Sequence, residues 1–105
     1  MNIGVLAKNL GLEEDEFLEL VELFVETGIS DLDKLQSAIV EGNADKAANA
    51  AHSLRGAAIN LGLVELSEIA GKIEEDARND RLETIAEAAQ AIQGKLDIIV
   101  DSLRR

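Results

Sequence analysis

Seven apolar residues near the end of the chain, Leu82, Ile85, Ala89, Ile92, Leu96, Ile99 and Leu103, recur at alternating intervals of three and four. An α-helix with about 3.6 residues per turn places all of them on one stripe. A stripe this regular over three heptads is a seam that other helices must cover. No proline interrupts any part of the sequence. Hydrophobic residues make up 47% of it, yet Phe17 and Phe24 are the only aromatics. An interior of alanine, leucine and isoleucine suits closely packed helices better than a sheet, which favours β-branched and aromatic side chains. With 105 residues the chain is expected to form one domain, 1–105, around one core.

Glycine and asparagine punctuate the remainder. Gly42-Asn43 and Gly62 each follow an amphipathic segment, where glycine fits the left-handed position past a helix end. Asn79-Asp80 makes a third break, and Asp80 followed by Glu83 is expected to form a capping box for the last helix. The predicted helices are a short one over 3–10, then long ones over 13–41, 44–61, 63–77 and 82–103. Glu13 to Glu16 place acidic side chains at the positive end of the first long helix. Gly28 lies where its apolar spacing slips, so a kink or break is expected there. Short connections force consecutive helices antiparallel. The expected fold is therefore all-α: an antiparallel up-down-up-down four-helix bundle with a short N-terminal helix.

The formal net charge is −11. Such a surface repels phosphate backbones and anionic lipid, so neither nucleic acid nor membrane is an expected partner. No cysteine is present, which excludes disulfide and thiol chemistry. The N-terminus has neither the basic segment nor the apolar run of a signal peptide, and no stretch is long enough to span a bilayer. The expected location is the cytoplasm.

The single histidine, His52, falls on the second long helix. At about 100° per residue, Ala47, Ala51, Leu54, Ala58 and Leu61 share its core face, and His52 points roughly 150° away, toward solvent. Gly56 lies four residues on along the same outward face and Ala48 four residues back, with Ile59 and Arg55 flanking the stripe. An outward glycine inside a helix costs about 1 kcal/mol relative to alanine. Removing bulk beside the histidine would let another protein come close. Ala48, Gly56 and Ile59 are expected to form a small apolar apron for docking. Arg55 brings a fixed positive charge matched to phosphate oxygens.

Neutral imidazole is a competent nucleophile near pH 7 and can form a covalent phosphohistidine. The outer nitrogen, Nε2, is the expected phosphoacceptor. Other chemistries fit less well. Bundle metal sites use Glu-x-x-His units, and the residue three before His52 is Asn49. The convex helix face offers no pocket for a Ser-His-Asp triad, and no phosphate-binding loop or dinucleotide fingerprint occurs.

The stretch from Ala51 through His52-Ser53-Leu54-Arg55-Gly56 to Gly62 resembles the signature of histidine-phosphotransfer domains. Downstream, Leu66, Ala70 and Ile73-Glu74 are similar to that family's Leu…Ala…Leu-Glu pattern, and Phe17, Leu20, Phe24, Leu32 and Leu35 to its first long helix. The resemblance covers the chain from about residue 13 onward. It implies that His52 is the phosphoacceptor, that Arg55 stands where the family more often has lysine, and that Gly56 gives the partner room. It further implies a phosphorelay carrier, not a kinase, that exchanges phosphoryl groups with receiver-domain aspartates. The protein would need no cofactor of its own, the Mg²⁺ being bound by the receiver. Residues 1–12 carry no motif of the family and are expected to cap one end of the bundle.

Three other readings stay open at this level. The chain is a phosphoacceptor domain of a larger sensor or chemotaxis-type histidine kinase, although Met1 favours a complete small protein. It is a non-catalytic helical adaptor in which His52 is incidental. Or its last seam makes it a self-associating structural bundle, against the expected monomer.

Overall fold

The computed structural model describes residues 2–104. Five α-helices follow in order: α1 Ile3–Asn9, α2 Glu14–Glu41, α3 Ala44–Asn60, α4 Val64–Arg78 and α5 Ile85–Leu103. The last is preceded by a 3₁₀ turn, Leu82–Thr84. Helices α2 to α5 form the bundle, with α3 packed between α2 and α4, and α5 closing the ring against the same two helices. Helix α1 lies against α2. At about 1.5 Å per residue, the 28 residues of α2 account for the 41 Å long axis of the molecule.

The expected helix ends are largely where the glycines place them. Gly42 has φ 69° and Gly62 φ 73°, both left-handed. At each end a backbone N–H one residue further on reaches back, Asn43 to Ala38 O and Leu63 to Ala58 O, both at 2.9 Å. These bonds satisfy carbonyls that a helix end otherwise leaves without partners. Asn43 also caps the next helix, its side chain accepting from Lys46 N–H at 3.0 Å. At the start of α2, Glu16 accepts from the Glu13 N–H at 3.1 Å.

Two local expectations are corrected. Asp80 does not cap the last helix. It takes φ 61° and ends α4 instead, where Arg81 N–H reaches back to Asp76 O at 2.8 Å. Aspartate tolerates the left-handed region better than most residues, so it does here what glycine does after α2 and α3. The last helix then starts through the 3₁₀ turn, with the Thr84 hydroxyl 3.1 Å from Asp76 Oδ2.

Nor does Gly28 break α2, which is continuous from Glu14 to Glu41. The buried positions run Phe17, Val21, Phe24, Gly28, Asp31, Leu32, Leu35 and Ala38. The seam therefore does not slip; a glycine and an aspartate occupy two of its inward places. Gly28 retains its backbone N–H, so the helical ladder is kept. A Cβ built on it would lie 3.3 Å from Leu96 Cδ2, so its bareness admits α5.

The core contains the apolar stripe of α5, with Ile85, Ala89, Ile92, Leu96 and Ile99 all buried in one cluster with Phe17, Leu35, Leu54 and Ile73. Leu82 and Leu103, at its ends, are partly buried. Helix α3 contributes alanines at 47, 48, 50, 51 and 58 to this core. Small side chains let its backbone lie close to α2 and α4 at once.

Candidate functional site

His52 lies near the middle of α3, with its side chain 62% exposed. One contact fixes its orientation. Nδ1 lies 3.0 Å from Oε2 of Glu74, on α4. That carboxylate is only 11% exposed, and it gathers three basic groups. Arg78 Nη2 and Nε reach Oε2 at 2.8 and 3.2 Å. Arg55 Nε lies 3.3 Å from Oε1. Burial alone would push the Glu74 carboxyl up. The Arg78 hydrogen bond and the positive charges of Arg55 and Arg78, with the His52 ring beside them, outweigh it and hold the group below its ordinary value.

Arg55 Nη2 also stands 3.4 Å from His52 Nδ1. A ring nitrogen cannot donate to the carboxylate and accept from the guanidinium at once. The carboxylate contact is shorter, and its partner carries the opposite charge to a polarised N–H. We therefore assign the proton to Nδ1. Arg55 is then a neighbouring charge rather than a donor to the ring. Both polar contacts to the ring from the described residues fall on Nδ1, and Nε2 has no hydrogen-bond partner among them.

Helix α3 is held on its other flank as well. Ser53, next to His52, donates its hydroxyl hydrogen to Oδ2 of Asp31, a buried carboxylate on α2. The outward face expected from helical geometry is otherwise close to what is observed. Gly56 is exposed, and a Cβ built there would meet nothing within 4 Å. Ile59 is 58% exposed. Arg55 is half-buried along α4.

Ala48 is a correction. It is 1% exposed and belongs to the core, not to an apron around the histidine. A single apolar face was expected on α3, but the helix packs against two neighbours, and its buried arc extends far enough round to include position 48. Glu74 is the residue to which the sequence assigned no role. It was visible there as part of the Ile73-Glu74 pair and as the first member of a Glu74/Arg78 pair at i, i+4. Its place beside Ile73, one step from the core face of α4, was the available signal that this carboxylate would be buried. Among the described residues no three carboxylate or imidazole side chains are placed to hold a metal ion.

Comparison with family models matches the Hpt domain over residues 19–104. The chain belongs to the Hpt domain family. An Hpt domain has a histidine-phosphotransfer role in phosphorelay, and such domains generally have receiver domains as partners. The match begins inside α2, so α1 lies outside the Hpt region. No curated protein and no solved structure gives a significant match. No helix among the described residues of this Hpt domain is long and apolar enough to cross a membrane.

Proposed function

We propose that this Hpt domain is a cytoplasmic phosphorelay intermediate that takes a phosphoryl group from a receiver-domain aspartate onto His52 Nε2 and passes it to another. The observation that carries this reading is the Nδ1 contact of an exposed ring to buried Glu74. In the forward step the Nε2 lone pair attacks phosphorus. The N–P bond forms as the P–O bond of the aspartyl phosphate breaks, and the aspartate leaves as a free carboxylate. No proton needs to leave the ring, because Nε2 carries none. The imidazole becomes cationic as the bond forms, and Glu74 is in place to stabilise that charge across the Nδ1–H.

Arg55 places a second fixed charge beside the ring, suited to phosphoryl oxygens. Gly56 leaves open the surface over which the receiver approaches, and exposed Ile59 offers it an apolar contact. The receiver supplies the Mg²⁺ that neutralises the transferring group. This chain supplies the nucleophile and the docking face.

Transfer from a labelled phospho-receiver with Mg²⁺ tests this reading, comparing wild type with His52→Gln. Acid-labile, base-stable label on the wild type alone is the expected result. Equal labelling of His52→Gln would overturn the assignment of the site. Partner binding that ignores His52, with no label from any receiver, would instead make the protein an adaptor.

A further inference from the structure

Two interior helical glycines lie on the helices that build the site, Gly56 on α3 and Gly71 on α4, and they differ in what surrounds them. Gly56 on α3 faces open space. Gly71 on α4 does not: a Cβ built there would lie 3.2 Å from Cδ of Arg55, and no other foreign atom comes within 4 Å. Gly71 lacks the positive φ that would require glycine. It sits in the middle of Val64–Arg78, where glycine is disfavoured relative to alanine. The one neighbour that gains from the missing side chain is the aliphatic stem of Arg55.

That stem lies across α4 at the bare position, as long cationic side chains do when they cover a helix surface. Its course brings Nε to Glu74 Oε1 at 3.3 Å and Nη2 to within 3.4 Å of the His52 ring. Resting on the phosphotransfer reading of His52, we propose that Gly71 is a positioning residue for that reaction. It seats Arg55 against α4 and so keeps the guanidinium beside the imidazole instead of extended into solvent. A side chain at 71 lifts the stem, opens the Arg55–Glu74 contact and moves the charge away from the ring. Alanine requires a shift of a few tenths of an ångström; leucine occupies the seat entirely.

The test combines rates with spectroscopy on the full chain. Phosphorylation of His52 by a labelled receiver is timed for wild type, Gly71→Ala, Gly71→Leu, Arg55→Ala and Gly71→Leu/Arg55→Ala. The expected result is a graded loss, small for alanine and, for leucine, as large as that of Arg55→Ala, with no further loss in the double variant. Thermal melts should show Gly71→Ala no less stable than wild type, separating its effect from damage to the fold. If Gly71→Leu instead slowed Arg55→Ala by the same additional factor as it slows the wild type, Gly71 would be a partner contact and the proposal would be overturned. So would full activity of Gly71→Leu.

A second readout does not need the receiver. The Nε–H resonance of Arg55 and the ring nitrogens of the single histidine should move in Gly71→Ala and stay in place in Gly56→Ala. Unmoved signals in Gly71→Ala would also overturn the proposal. A wild type that accepts no phosphoryl group sinks the proposed function alone, and the spectra still decide the role of Gly71.

Discussion

His52 and Glu74 face each other across the α3–α4 interface, Nδ1 to Oε2 at 3.0 Å, and this pair determines which nitrogen of the ring is available. The carboxylate sits on the inner side of the imidazole and is itself fastened by Arg78. Ring orientation and tautomer therefore both pass through one side chain, and in the proposed transfer so does charge compensation.

Replacing that side chain separates its effects. Glu74→Gln keeps an acceptor for Nδ1–H but removes the negative charge; Glu74→Ala removes both. A charge-assisted hydrogen bond contributes about 1.5–3 kcal/mol, so the loss of charge should slow phosphoryl transfer by ~tenfold or more. Nitrogen-15 spectra of the ring should show the Nδ1–H tautomer retained in glutamine and mixed in alanine. Wild-type rates in both variants would remove Glu74 from the mechanism.

Gly56 should show opposite effects on stability and transfer. Alanine there meets no atom of the protein and gains helix propensity, so Gly56→Ala should stabilise the fold by up to ~1 kcal/mol in urea denaturation. Transfer from a receiver should slow nonetheless, while phosphorylation by a small phosphoramidate donor stays unchanged. Equal slowing with both donors would place the effect in the ring, not in the docking surface.

Gly28 and Gly94 make a controlled pair away from the site. Gly94 on α5 has open space around it, whereas a Cβ at Gly28 comes to 3.3 Å from Leu96 Cδ2. Gly94→Ala should raise stability by ~1 kcal/mol. At Gly28 the same gain is offset by overpacking, which costs about 1–3 kcal/mol. The second variant should be no more stable than wild type, and Leu96→Val in the same chain should recover part of the difference. Melting curves that treat the two glycines alike would refute the close approach of α2 and α5.

Acid should weaken the bundle through α4. Glu74 and Asp76 are held below their ordinary values of 4.5 and 3.8. For Asp76 the hydrogen bond from Lys72 is the largest cause, opposed by burial and aided by Thr84 and by the charges of Lys72 and Arg81. A carboxyl lowered on folding contributes stability that is present above its unfolded value. That contribution is lost as pH falls through the folded value. Urea midpoints should therefore drop below pH 4.5. Protonating the other acidic groups relieves self-repulsion in a chain of net charge −11 and works the other way. The comparison that isolates α4 is therefore Asp76→Asn against wild type, with a flatter acid limb in the variant. Parallel curves would count against the assignment.

Much of this was legible in the residues themselves. The α5 stripe named its own buried positions because one unbroken period ran through it, and Gly42 and Gly62 marked turns that need a left-handed residue. What was missed has a common cause: residues whose type disguises their place. Gly28 and Asp31 hold inward positions on α2 without being apolar. Asp80 takes a backbone conformation more usual for glycine. Ala48 is small enough to suit either surface or core, and only the presence of two neighbouring helices decides between them. Glu74 reads as one of many surface acids until the three basic groups around it come from 55, 52 and 78. A wheel drawn for one helix contains His52 but not its partner.

Successive residues of α3 are tied to opposite sides, His52 to Glu74 on α4 and Ser53 to Asp31 on α2. Turning the helix about its own axis to hide or re-aim the imidazole would break one tether or the other. The ring is thus mounted like a fixed terminal rather than a moving arm. Its aim is inherited from the register of three helices, and a change as distant as Asp31 on α2 is mechanically connected to it.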